Sequence, residues 1–218
     1  MAGAAGAQVA GAVSLQSDYR IRGYSMSHGQ PAALLNLSYD HDSGVYLNGV
    51  AVVGRDREDN PAVTGVVENI GYARRLSSRT SADVGLVHSE YFQRYGTTGT
   101  GRYTEAYVGL NSPHLSSRLS YSPDYFRHGI STLYGEVNGG WETVAGIRLD
   151  AHIGYLDCLE APRRRRCTSQ YDWRLGLSRQ FGPLDLSASL SDAESKRNLF
   201  YRRPDRAPAF VVGASWAF

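Results

Sequence analysis

The stretch from Leu184 to Asp192 reads LDLSASLSD, and it decides the fold class. Leucine and alanine occupy every second position from Leu184 to Leu190, and aspartate and serine occupy the positions between them. A period of two indicates a β-strand with one apolar face and one polar face. The same alternation runs through IRLDAHIGY from Ile147 and YDWRLGLSRQF from Tyr171. The sequence therefore predicts an all-β protein.

The lengths of the alternating segments indicate the kind of β-protein. About twelve such segments can be placed along the chain, most of them about 9–12 residues long, whereas strands of soluble proteins usually run about 5–6 residues. A tilted strand that crosses a bilayer needs about 9–11 residues. The connections alternate between long and short, as they do in outer-membrane barrels. We therefore predict a transmembrane antiparallel up-and-down β-barrel of about twelve strands over residues 12–218, after a flexible tail over residues 1–11.

The polar faces of these segments carry many ionisable side chains. Burying so many charges in a dry core would be costly, whereas a water-filled lumen solvates them. The predicted lining of the lumen is Asp18, Arg20, Arg22, Glu105, Arg118, Glu136, Arg148, Asp150, His152, Asp172, Arg174 and Asp185. On the apolar faces, aromatic residues collect near the strand ends, as in the two aromatic girdles of a membrane barrel.

Composition excludes several other classes of protein. The 218-residue chain has a formal net charge of +2, which gives no argument for a nucleic-acid partner. Cys158 and Cys167 are nine positions apart without histidine partners, a spacing that fits a disulfide-closed loop in an oxidising compartment better than a metal site. The six histidines are scattered along the chain, so we expect no metal and no cofactor.

Two segments predict contacts with other molecules. Arginines occupy every position from Arg163 to Arg166 (Arg163, Arg164, Arg165 and Arg166) inside the cysteine loop, where they could bind lipopolysaccharide phosphates or simply form a solvated loop. The last segment places Phe210, Trp216 and the terminal Phe218 on one apolar face. We expect this terminal strand to be the signal that the barrel-assembly machinery of Gram-negative bacteria recognises.

Three short motifs resemble a known family. Residues 17–23 read SDYRIRG, residues 103–109 read YTEAYVG and residues 121–126 read YSPDYF. These motifs are similar to those of the TorF-type porins, a family of small bacterial outer-membrane proteins. The resemblance covers nearly the whole chain and implies a porin. With the barrel layout, it leads us to expect an outer-membrane protein with periplasmic termini and extracellular long loops.

We expect a channel for passive diffusion of small polar solutes or ions. Arg20 and Arg22 could form a basic constriction that orders anions, or a lumenal salt-bridge network, which the near balance of lining charges favours. An alternative is a non-conducting structural or lipopolysaccharide-binding barrel, plugged by the tail or an inward loop. A lipid hydrolase is the weakest alternative, because the adjacent His88 and Ser89 point to opposite faces of a strand. We therefore predict that the protein is not an enzyme.

Overall fold

The computed structural model describes residues 7–56, 58–92, 101–162, 167–194 and 208–218. Its strands are β1 (Ala7–Gln16), β2 (Arg20–Ile21), β3 (Tyr24–Ser25), β4 (Ala32–His41), β5 (Val45–Arg55), β6 (Pro61–Arg75), β7 (Ser81–Tyr91), β8 (Gly101–Asn111), β9 (Leu115–Ser122), β10 (Ser131–Glu142), β11 (Ile147–Glu160), β12 (Gln170–Phe181), β13 (Leu184–Glu194) and β14 (Ala209–Ala217). Within these ranges, no helix has the length and apolar character needed to cross a membrane.

All of these strands except β2 and β3 form one closed barrel. Each barrel strand pairs antiparallel with the neighbouring barrel strands along the chain, and β1 closes the barrel by pairing with both β4 and β14. Closure gives every strand two partners, so that no sheet edge is left unpaired. The predicted all-β, twelve-stranded up-and-down barrel is therefore confirmed.

The barrel has an apolar outer surface and a polar interior. Ile153, Leu175 and Leu177 point outward and are 59%, 57% and 50% exposed. Along β8, the opposite face carries Tyr103 and Glu105, which are buried in the interior. This arrangement is the reverse of that in a soluble barrel, whose apolar residues fill the core.

The connections at the two ends of the barrel differ in length. One end, here called the short-turn end, carries the start of β1, the end of β14 and the connections 42–44, 76–80, 112–114, 143–146 and 182–183. At the other, the long-connection end, the strands are joined by residues 17–31, 56–60, 92–100, 123–130, 161–169 and 195–208, all of them longer than the short-turn connections except 56–60, which has the same length as 76–80. Apart from 56–60, long and short connections therefore alternate along the chain, as the sequence predicts.

The first strand is longer at its start than the sequence indicates. Residues 7–11, which the sequence assigns to a flexible tail, belong to β1. They pair with β4, where Ala7 lies opposite His41. The backbone of Gly11 also exchanges two hydrogen bonds of 2.9 and 3.0 Å with Phe218. Pairing with β4 along residues 7–11, and with Phe218 at Gly11, satisfies backbone groups of these small residues and holds them in the strand.

The first strand is also shorter at its end than the sequence indicates. β1 stops at Gln16, and the charged residues that continue its alternation in the sequence belong to the segment with the β2–β3 hairpin instead. Arg22 and Gly23 have positive φ angles of 49° and 75° between the paired residues Ile21 and Tyr24. Positive φ at both central residues is what a tight two-residue hairpin turn requires. Arg20 and Arg22 are therefore not part of the barrel wall.

Candidate functional site: the lumen

The lumen contains a polar cavity of about 620 Å³. Of the predicted lining residues, Asp18, Arg20, Arg22, Glu105, Arg118, Glu136, Asp150, His152, Asp172, Arg174 and Asp185 line this cavity. Arg148 faces inward but lies outside the lining, with its guanidinium beside Gly140 near the short-turn end. Residues of β13 and β14 complete the wall with serines and glycine, among them Ser187, Ser189 and Gly213.

Residues 17–31, here called the lumenal hairpin, cross the lumen from one side to the other. On one side, Arg22 donates hydrogen bonds of 2.8 and 2.7 Å to the two carboxylate oxygens of Glu105 on β8. On the opposite side, Gly23 lies against β13, and a Cβ at this position would lie only 2.6 Å from the Cβ of Ala193. Tyr24 donates a hydrogen bond of 2.6 Å to Gln170 on β12. The hairpin is therefore fastened to strands that lie nearly opposite each other in the barrel.

The two arginines of the hairpin are held in ion pairs. Arg22 and Glu105 are 10% and 5% exposed, and the Arg22 guanidinium lies 3.8 Å from the centre of the Tyr134 ring. Arg20 pairs with Asp18 of the same hairpin at 2.8 Å. The arrangement is the salt-bridge network that the charge balance favours. Both arginines are paired with acids, which argues against the alternative of a basic constriction that orders anions.

Asp18 holds the hairpin in shape from within. One of its carboxylate oxygens accepts hydrogen bonds from the hydroxyls of Ser25 at 2.5 Å and Ser27 at 3.0 Å. The Ser27 hydroxyl also accepts a hydrogen bond of 2.8 Å from the backbone N–H of Tyr19. The hairpin therefore carries its own polar core, which explains how so short a segment keeps a defined conformation in the lumen.

A second polar network lies on the β10–β12 wall. The Nε2 atom of His152 lies 2.8 Å from Asp172, and its Nδ1 atom lies 2.7 Å from the side-chain oxygen of Asn138. The Tyr134 hydroxyl donates to Asp172 at 3.2 Å, and the same tyrosine ring carries the Arg22 guanidinium. This network therefore continues into the anchor of the hairpin.

Two further arginines of the lumen pair with acids on nearby strands. Arg174 on β12 lies 3.2 Å from Asp150 on β11. Arg118 on β9 lies 3.5 Å from Asp83 on β7 and 4.0 Å from the centre of the Tyr107 ring. Pairing lowers the cost of placing these charges in a confined lumen. The lining nevertheless carries six acids and four arginines, and among the described residues Asp185 forms no ion pair.

An aromatic cluster packs around the hairpin toward the long-connection end. Its buried members are Tyr24, Tyr91, Tyr103, Tyr125, Phe126, Tyr134 and Leu156. The ring centres of Tyr103 and Phe126 are 4.5 Å apart, and those of Tyr125 and Phe126 are 4.9 Å apart. The sequence analysis misses this cluster, although Tyr103 shares the inward face of β8 with Glu105. The alternation indicates the inward direction of Tyr103, but Tyr125 and Phe126 lie in the connection 123–130, where no strand period applies.

The other predicted sites lie outside the lumen. Cys158 and Cys167 form the predicted disulfide, with Cα atoms 5.9 Å apart. Phe210, Trp216 and Phe218 point outward and are 68%, 53% and 68% exposed, and their role in assembly stays a prediction. The predicted phosphate contacts Arg163, Arg164, Arg165 and Arg166 lie outside the described residues.

The residues considered for hydrolysis do not form a catalytic arrangement. Ser89 faces the interior and is 1% exposed. His88 points outward, where its Nδ1 atom lies 2.9 Å from the Thr104 hydroxyl. A nucleophile and its base must lie within hydrogen-bond reach of each other, and the barrel wall separates these two side chains.

Comparison with solved structures shows barrels of the same fold. A structure of the KdgM porin matches with a TM-score of 0.58 and 13% identity over 96% of this chain and 99% of that chain. KdgM porin in complex with disordered oligogalacturonate matches with a TM-score of 0.57 and 13% identity over 96% and 98%. A barrel from a study of in-meso crystallization of membrane proteins matches with a TM-score of 0.55 and 8% identity over 96% and 83%.

The sequence comparisons give a family without a known activity. No curated protein matches the chain. The model of the Gcw_chp family, described as bacterial proteins of unknown function, matches residues 1–218. Since this match covers the whole chain, the protein belongs to the Gcw_chp family.

Proposed function

We propose that this protein is an outer-membrane channel through which small polar solutes or ions diffuse passively. The observation that carries the proposal is a polar cavity of about 620 Å³ inside a barrel whose outer surface is apolar. An apolar exterior suits lipid, and a lumen lined with charges and hydroxyls holds water. The shared fold with KdgM, which is named a porin, supports the same role. The proposed role involves no catalysis.

The proposed orientation places the long connections outside the cell and both termini in the periplasm. It is supported by the sorting of short and long connections, which matches that of bacterial outer-membrane barrels. The proposed partners are the lipid bilayer, lipopolysaccharide phosphates at the arginines of the cysteine loop, and the barrel-assembly machinery at the terminal strand. The motif resemblance to the TorF-type porins supports placing the protein among small outer-membrane porins.

A non-conducting barrel is the second candidate, and one observation favours it. The lumenal hairpin spans the interior from Glu105 on β8 to Ala193 on β13. Such a barrel would serve a structural or lipid-binding role. We favour the channel because the cavity beside the hairpin extends along β13 to Ser187 and Asp185 near the short-turn end.

Swelling of proteoliposomes distinguishes the two candidates. The full chain, refolded into liposomes and diluted into an isotonic solution of a neutral pentose, should give swelling above that of protein-free liposomes. A pentose is small enough to pass a narrowed lumen, whereas a large dextran should not enter. Swelling rates equal to those of protein-free liposomes, with barrel folding verified by heat-dependent mobility in gels, would favour the non-conducting barrel.

A further inference from the structure

The outward face of the barrel carries a row of polar side chains on three neighbouring strands, at the centre of β6 and nearer the long-connection ends of β7 and β8. The strand register places Glu68 on β6 opposite His88 on β7, and His88 opposite Thr104 on β8. His88 bonds to Thr104 at 2.9 Å. Within the described part of the chain, the Glu68 carboxylate forms no ion pair. The next outward row toward the long-connection end carries Glu90 opposite Arg102, whereas the next row toward the short-turn end is apolar, with Ile70 opposite Leu86.

A row of ionisable and polar side chains is unusual on a surface that faces lipid. Ionisable side chains within the bilayer are rare, and they usually pair with another group or mark a functional site. The corresponding outward positions of β11, β12 and β13 on the far side carry Ile153, Leu175 and Leu190, all of them exposed. The polar row is therefore confined to one side of the barrel.

A depression in the outer surface lies beside the polar row. It has a volume of about 660 Å³, and Leu37, Leu47, Gly49, Ile70 and Leu86 contribute to its lining. A Cβ on Gly49 would meet no atom within 4 Å, so the barrel wall leaves this space open. An apolar side chain from a neighbouring molecule could fill it.

We propose that this surface, the Glu68 face, binds a second copy of the same chain. The inference rests on the proposed membrane location, in which both copies have the same orientation. A twofold axis along the membrane normal between β6 and β7 then brings Glu68 against His88 of the partner subunit at the same depth, and the reverse. The twofold axis exchanges the two positions. An acid and a base that lie side by side at the same height therefore each face the opposite group in the second copy. Each carboxylate thereby gains the partner that it lacks in one chain.

Counting subunits in liposomes tests the proposal. Chains labelled with one fluorophore at the N-terminus should bleach mainly in two steps. Glu68→His makes histidines face each other across the twofold axis, and His88→Glu makes glutamates face each other. We expect each variant to weaken association by about tenfold. The double variant Glu68→His/His88→Glu reverses the pair and should restore two-step bleaching. Ser117→Ala, an outward change on β9, serves as the control and should leave association unchanged.

The outcomes separate this proposal from the proposed function. One-step bleaching of the wild type at every protein-to-lipid ratio overturns the dimer. Two-step bleaching of both single variants at wild-type frequency also overturns it, and so does a majority of complexes that bleach in three or more steps. If a single variant does not fold, the wild type and the reversed pair still decide. Swelling of the proteoliposomes is measured on the same samples, so a conducting monomer refutes the dimer alone.

Discussion

Removing the lumenal hairpin is expected to raise the conductance of the barrel several-fold, because its residues cross the lumen between β8 and β13. Gln16 and Ala32, which flank the hairpin, already lie opposite each other in the β1–β4 pair. Residues 17–31 can therefore be replaced by the two-residue turn Asn-Gly, which joins antiparallel strands directly. Single-channel recording in planar bilayers measures the change.

A smaller change tests the anchor of the hairpin. Arg22→Ala removes one partner of a buried ion pair and leaves Glu105 without its cation, a loss that costs about 3–5 kcal/mol in buried pairs. We expect the hairpin to leave its site part of the time, seen as brief openings to the conductance of the deletion variant. Arg55→Ala breaks an exposed ion pair with Asp59 and should leave conductance unchanged. Equal conductance of wild type and deletion variant would mean that the hairpin does not obstruct the path.

The second large effect concerns the outward face. Leu175 lies in the middle of β12, points outward and is 57% exposed. Leu175→Arg would place a charge against lipid and is expected to cost about 2–4 kcal/mol if the position lies near the bilayer midplane. Ser189→Arg on β13 is the matched control, because Ser189 lines the cavity, where water solvates the new charge. Urea titration in lipid vesicles gives both free energies of unfolding.

Equal destabilisation by the two arginines would contradict the assignment of faces. The comparison is sharp because Ser189 pairs with Gly176, the residue next to Leu175, so the two positions lie at nearly the same height in the barrel. Only the direction of the side chain differs between them.

The face to which each strand residue points could be predicted from the sequence. In a strand, alternate residues share a face, so the two-residue period assigns the faces directly. This holds for Leu184–Leu190 and equally for Tyr103 and Glu105. The period does not give the aromatic cluster, because Tyr125 and Phe126 lie in the connection 123–130. The lumenal hairpin could not be found this way. Asp18, Arg20 and Arg22 continue the alternation of β1, so the pattern extends the strand past Gln16. The feature that ends this extended strand is the turn at Arg22 and Gly23. Glycine is common in such turns, but arginine is not, so the sequence indicates the turn only weakly.

The ion pairs show a further limit of sequence reasoning. The near balance of charges correctly favours a network over a constriction, since opposite charges in a confined space pair. The particular pairs depend on which strands face each other across the lumen, and Arg22 reaches Glu105 over a separation of 83 residues. The outward position of Glu68 opposite His88 could likewise not be predicted, because alternation is poor in β6. Which β6 residues point outward becomes clear only from the strand register.

The central claim is that solute passes through the cavity beside β13, and a pair of neighbouring cysteine variants tests it most directly. Ser187→Cys places a thiol in the cavity, and Leu186→Cys places one on the outer surface, while both native cysteines are held in the disulfide. A charged methanethiosulfonate reagent is added during single-channel recording. We predict a stepwise fall in the current of Ser187→Cys and none for Leu186→Cys. Equal responses of the two variants, or no current from either folded protein, would contradict the account.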